Sequence, residues 1–199
     1  TTTLRTGGTS IPSLTGIPGG AVAVDKTGSG FVSDVVWGTL YGDFWRVDPT
    51  TGISKDGVGK PLFRFSTDNQ PIGTKPAVYA KTAGGTQYAV FTTGGYVDTY
   101  PSDTNGSPAG STQDSMILNL NTPIADATIN ENKTPVGAAG DIAGKFALGA
   151  NEKGIAQATV VNSQIYITTD TADTNDNTNP GAYGTGGATG HVYRIEFGT

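Results

Sequence analysis

The same trio of short strands is written three times along the chain. Its opening member follows small residues: GGAVAVD (19–25), TKPAVYA (74–80) and AQATVVN (156–162). A second apolar stretch comes next: VSDVVWGTL (32–40), TQYAVFTTG (86–94) and SQIYITTD (163–170). The third closes the unit: GDFWRVD (42–48), DSMILNL (114–120) and GHVYRIEF (190–197). The first and last closers match position by position, with Gly42, Phe44, Trp45, Arg46 and Val47 against Gly190, Val192, Tyr193, Arg194 and Ile195. Alternation in QIYIT and HVYRIEF is the period-2 pattern of a half-buried strand. A repeated unit of three or four short strands predicts the blades of a β-propeller.

Composition agrees with that class. Thirty glycines and 11 prolines stand against 15% charged residues, which disfavours helices and favours turns. Val, Ile, Phe and Tyr are too frequent for a disordered chain. The expectation is an all-β protein of antiparallel sheets with long loops, and 199 residues suffice for a sizeable core. A net charge of -5, with no cluster of Lys or Arg, argues against nucleic acid and anionic membrane as partners. No apolar run is long enough to span a bilayer. With no cysteine, thiolate zinc sites, disulfides and thiol catalysis are excluded. Abundant Thr, Asn, Gly and Ser with scarce Lys favour an extracellular location. The chain starts at Thr1 and its single methionine is Met116, so it is expected to be processed, trimmed or part of something longer.

The repeats predict one partial propeller domain over residues 1–199, with blades near 15–60, 61–125 and 150–199. Three blades do not close a ring, since closed propellers have at least four. The chain therefore reads as the tail of a larger propeller, and its open blade face should seek the remaining portion or a partner chain. Polar loops at 100–113 and 169–190 are expected on the surface. The stretch at 130–149 reads as a connector with one short helical turn. Trp37, Phe44, Trp45, Tyr88, Phe91, Tyr166, Tyr193 and Phe197 fall in predicted strands and are expected mostly between blades. Arg46 and Arg194 close equivalent strands and are expected to pair with neighbouring acids.

The run VDKTGSGFVSDVVWGTLYGDFWRVD (24–48) resembles the PilY family of type IV pilus tip-associated proteins. There an acidic loop feeds a strand that leads to a Gly-x-x-Trp-basic-apolar-Asp strand end. PLFRFSTDNQPIGTKPAVYA (61–80), YAVFTTGGYVD (88–98) and KGIAQATVVNSQIYITTD with GGATGHVYRIEF follow in the family's order, so the likeness covers nearly the whole chain. It implies the C-terminal part of a modified β-propeller at pilus tips. The implied role is that of a non-enzymatic scaffold or adhesin in pilus assembly, retraction control and surface attachment. Implied partners are minor pilins or pilin-like subunits and a host or abiotic surface.

The family loop carries calcium in the pattern Asp-x-Asn-x-Asp-x-x-x-Asp. In register, its places are Asp25, Thr27, Ser29, the Phe31 carbonyl and Ser33, so one carboxylate of three remains. Calcium takes six to eight oxygens and relies on carboxylate charge. The resemblance thus implies a degenerate calcium loop of millimolar affinity or none. The alternative is a turn in which Asp25 caps backbone N–H groups while Gly28 and Gly30 supply positive φ.

Other motifs are weaker. DTNDNTN (173–179) alternates Asp and Asn as a cation loop could, but a solvated loop explains it. His191 stands alone at a strand start, which leaves a catalytic triad without members. GISKDGVGK (52–60) lacks the Ser/Thr and the helix of a phosphate loop and reads as a turn. The rival readings are a quinoprotein-type oxidoreductase fragment with calcium at its axis, or a general carbohydrate- or protein-binding propeller module. The first needs a full ring and acidic axial residues, neither of which is evident.

Overall fold

A computed structural model of the protein describes residues 16–40, 42–56, 59–65, 70–80, 85–94, 113–120, 142–149, 152–162, 164–171 and 189–196. These form twelve strands in three antiparallel sheets, each built from a contiguous part of the chain. The first sheet has the order β1 (Val22–Val24), β2 (Asp34–Gly38), β3 (Asp43–Val47) and β4 (Phe63–Arg64). The second has β5 (Ala77–Ala80), β6 (Gln87–Thr92), β7 (Asp114–Asn119) and β8 (Ile142–Ala147). In the third, β9 (Glu152–Gly154) and β10 (Thr159–Val161) both pair with the same edge of β11 (Gln164–Thr171), and β12 (Thr189–Glu196) lies on the other edge. β9 and β10 therefore act as one interrupted strand.

All nine strands written in the three repeats form, and they form in the expected order. The sheets run over 22–64, 77–147 and 152–196, against blades expected near 15–60, 61–125 and 150–199. The shifts come from two strands outside the repeats. β4 pairs back onto β3, through Asp43↔Arg64 and Phe44↔Phe63, and so belongs to the first sheet. The expectation of a connector with a helical turn at 130–149 fails over 142–147, which is strand β8. Pairing with β7 supplies the ladder that IAGKFA does not announce by its own pattern, and a bulge between Ile117 and Leu118 adjusts it.

Side chains alternate across the middle sheet and fix how the three sheets stack. Ala89 and Phe91 of β6, with Met116 and Leu118 of β7, join Val36, Phe44, Phe63 and Ile72 in one core. Val90 and Ile117, one residue out of phase, join Ala158, Ile165 and Ile167 in another. The second sheet is thus packed on both faces, which explains why β7 is buried along its whole length. Phe44 and Phe91 stack across the first seam with centroids 4.8 Å apart. Each fully buried side chain of this size contributes about 1.5–3 kcal/mol.

The expected interior aromatics divide by face. Phe44 and Phe91 fill the first seam, and Tyr88 and Tyr193 pack partly against the second core. Trp37 and Trp45 sit opposite each other on the other face of the first sheet, with Val47. Tyr166 is half-buried and its hydroxyl donates to Gln164. Phe197 lies outside the described residues, as do most of the loops 100–113 and 169–190 and the whole of 173–179.

Backbone contacts sew the sheets together. Ile72, between the first two sheets, bridges to Gly94, and the Gly154 N–H donates to Thr93 O at 2.9 Å. Gly38 and Gly154 permit this closeness, because an added Cβ would lie 2.2 Å from Ile72 Cγ2 and 2.4 Å from Thr92 Cγ2 respectively.

Candidate functional site

The loop from Asp25 to Ser33 joins β1 to β2, whose paired ends are Val24 and Asp34. Its geometry is organised by one carboxylate. Asp25 Oδ1 accepts from the N–H groups of Thr27 (3.1 Å), Gly28 (2.9 Å) and Ser29 (3.3 Å), and Oδ2 accepts from Gly30 N–H at 2.6 Å. Gly28 and Gly30 adopt φ of 69° and 84°, which lets successive N–H groups turn inward. The Gly30 N–H, with Thr27 and Ser29 adding to it against some desolvation, holds Asp25 below its ordinary carboxylate range.

Of the five expected ligand positions, the side chains of Asp25, Thr27 and Ser29 meet one another. The Thr27 hydroxyl lies 3.2 Å from Asp25 Oδ1 and 2.8 Å from Ser29 Oγ. Ser33 stands apart at the strand bases, where its Oγ accepts from Lys26 N–H and lies 2.9 Å from Val24 O. The Phe31 residue is 78% exposed, while the group expected at this position is its carbonyl. In this arrangement Asp25 Oδ1 is taken up by three N–H groups, whereas Oδ2 accepts one. Among the described residues no group of three or more His, Asp or Glu is placed to hold a metal. As folded, the cluster offers a divalent cation one carboxylate and two hydroxyls, a donor set low in the carboxylate charge that calcium relies on.

The neighbouring carboxylate is engaged as well. Asp34 is buried, with Lys26 Nζ 3.0 Å from its Oδ2 and Lys55 Nζ 3.0 Å from its Oδ1. Lys55 Nζ also donates to Ser33 O at 2.7 Å, tying the turn after β3 to the foot of the loop. Burial pushes Asp34 up, but the two ammonium groups outweigh it and leave the carboxyl below its ordinary value. Burial likewise lowers Lys26, with Arg46 adding to the effect and Asp34 opposing it. The second sheet contributes Gln87, whose Nε2 donates to Asp25 O at 2.7 Å. The loop is thus held by its own backbone, by two lysines and by the next sheet.

Besides Asp25, Thr27 and Ser29, the foot of the loop involves Lys26, Lys55 and Gln87, which the sequence did not single out. No local spacing signals them, because Lys55 reaches Asp34 across 21 positions and Gln87 reaches Asp25 across 62. Arg46 meets an acid as expected, the buried Asp56 ten positions on. Arg194 meets Glu196 at 3.6 Å on an exposed surface, so the equivalent positions differ in environment. His191 is exposed and stacks on Tyr193. In the 52–60 turn, the described residues show Ser54 Oγ donating to Lys60 O.

No protein-family model matches the sequence, and no curated protein matches it significantly. Among solved structures, the fold is similar to the crystal structure of the Pseudomonas aeruginosa PilY1 C-terminal domain. The TM-score is 0.56 and the identity 14%, over 76% of this chain and 44% of that one. The chain therefore spans less than half the length of the chain it matches. The likeness shows the fold, a PilY-like partial β-propeller of antiparallel sheets.

Proposed function

We propose that the chain is part of a type IV pilus tip-associated propeller of PilY kind, acting without catalysis as a scaffold and adhesin at the cell surface. The observation that carries this reading is the stack of three contiguous antiparallel sheets that follows the PilY1 C-terminal domain over 76% of the chain. The succession of the loop at 25–33, Gly38, Gly42, Trp45 and Asp48 in the first sheet supports it independently. The architecture supports the role: the second sheet is packed on both faces, and the loops at the sheet ends are what a rigid body of this kind presents. The partners are minor pilins or pilin-like subunits, together with the rest of the propeller; attachment to host or abiotic surfaces is the downstream activity.

The test is deletion of the gene in the parent organism, with sheared pili analysed for the protein. Loss of surface piliation on deletion, and recovery of the protein with pili in the wild type, are expected. Normal piliation together with a protein absent from sheared pili overturns the reading, and so does quinone absorbance with dye-linked turnover.

A further inference from the structure

The three sheets are built alike, but among the described residues the third ends one strand early. In the first sheet β3 is followed by β4, and in the second β7 is followed by β8. β12, the counterpart of β3, is paired with β11 alone. Register fixes that correspondence as well as sequence does. Tyr166 stands opposite Arg194 as Val36 stands opposite Arg46, and Thr168 opposite Val192 as Gly38 opposite Phe44. β3 and β7 are buried along their whole length, whereas six of the eight residues of β12 are exposed. Phe44 is 0% exposed and its counterpart Val192 is 70% exposed.

This edge is also unguarded. A free strand edge presents a row of backbone N–H and C=O groups, and proteins blunt it by shortness, by a bulge, or with lysine and proline. β4 has only two residues, and β8 carries Lys145 and lies against a bulge. β12 has eight residues with no lysine and no proline, and its register runs unbroken from Gln164↔Glu196 to Thr171↔Thr189. Its two charges, Arg194 and Glu196, lie 3.6 Å from each other. Its inner side is anchored, since Tyr193 and Ile195 pack on the second core and the Tyr193 hydroxyl donates to Glu152 Oε2 at 3.2 Å. A strand already held in its paired shape loses little conformational entropy on docking.

The first sheet shows what fits such an edge. β4 lies antiparallel on β3 with Phe63 opposite Phe44 and Arg64 opposite Asp43, where Arg64 Nε donates to Asp43 Oδ1 at 2.6 Å. Carried over by the same register, the apolar residue of an added strand falls opposite Val192 and the charged one opposite His191. The base of the pair then lies on β12, so the incoming residue is the acid. We infer that β12 is a docking edge for one further antiparallel strand from another protein, apolar opposite Val192 and acidic opposite His191. Main-chain hydrogen bonds supply the affinity, and the two side chains set the register. Nothing in this assignment depends on the pilus reading.

The probe is a synthetic peptide of residues 60–65 carrying Arg64→Glu, added in excess to the full chain. Amide exchange at the β12 positions not bonded to β11 is expected to slow by at least about tenfold, as it does when an open edge becomes paired. The same peptide with its backbone nitrogens methylated should have no effect. Val192→Lys, at an exposed position, should keep the melting temperature and bind about fivefold more weakly, the loss of one apolar cross-strand pair. Exchange in β12 that excess peptide leaves unchanged overturns the inference, and so does equal slowing by the methylated peptide. Outward amides of β12 already protected in the monomer would show that the chain covers its own edge. A concentration-dependent dimer that Val192→Lys dissolves would assign the edge to a second copy. Either result refutes the strand from another protein.

Discussion

Arg46 and Asp56 form a side-chain pair sealed in the seam between the first two sheets. Arg46 Nη2 donates to Asp56 Oδ1 at 2.5 Å and Nε to Oδ2 at 3.3 Å, with the guanidinium wholly buried. A third bond, from Nη1 to Leu120 O at 3.2 Å, crosses to the second sheet. Burial raises Asp56 even against the attraction of Arg46. Asp56→Asn leaves a buried guanidinium without its counter-charge and should cost about 3–5 kcal/mol. The double replacement Arg46→Met with Asp56→Leu should cost much less, because no charge is then stranded. Urea unfolding of the two variants decides; equal losses would contradict the stranded-charge account.

Acid should loosen the foot of the loop. The folded carboxyl of Asp34 titrates below its ordinary value of 3.8, so its contribution is complete above that pH and is lost as pH falls through the folded value. Asp34→Asn should therefore be less stable than wild type at neutral pH. The gap should shrink as the pH is taken from about 5 to below 4. Thermal unfolding over that range is the measurement, and a gap that widens on acidification would reverse the sign assigned to Asp34.

The loop should be ordered without calcium. Asp25→Ala is expected to speed amide exchange at Thr27, Gly28, Ser29 and Gly30, the four N–H groups that Asp25 accepts. For the wild type, 1 mM calcium should raise the melting temperature by less than about 1 °C, as mass action gives for a millimolar site. A shift of several degrees that a chelator removes would show that Asp25, Thr27 and Ser29 rearrange around an ion.

A methyl group at Gly19 should be costly. An added Cβ there would lie 2.3 Å from the Thr74 carbonyl carbon and 2.4 Å from its oxygen, and backbone cannot swing aside as a side chain does. Gly19→Ala should destabilise by about 1–3 kcal/mol or more. Gly20→Ser, one residue on, has open space around it and meets only the strain of φ at 78°, so it should cost less. Chemical denaturation of the two variants provides the comparison.

The repeats made the nine repeated strands legible because alternation and β-branched runs are local properties. VVW, AVF and IYI announce strands wherever the chain places them. β4, β8 and β9 were not legible: Phe63–Arg64 and Glu152–Gly154 are too short to show a period, and IAGKFA has small residues where alternation would need bulk. All three are strands because a neighbour offers a ladder, which is tertiary information. Within the loop, the cluster of Asp25, Thr27 and Ser29 follows from spacing along a tight turn. The lysines that hold its foot come from a side-chain meeting no spacing encodes. The exposure of Phe31 was equally hidden, since the resemblance implied a role for its carbonyl and none for its ring.

The links between neighbouring sheets bear on how the molecule comes apart. Stacked repeats often fray from one end, because each unit rests on its neighbour mainly through apolar contact. Here Arg46 to Leu120, Gln87 to Asp25 and Gly154 to Thr93 are directional bonds between one sheet and the next. Peeling away any sheet strands polar groups that had been paired, so partial detachment is penalised from its first step. The three sheets are built to fail together rather than to peel away one at a time.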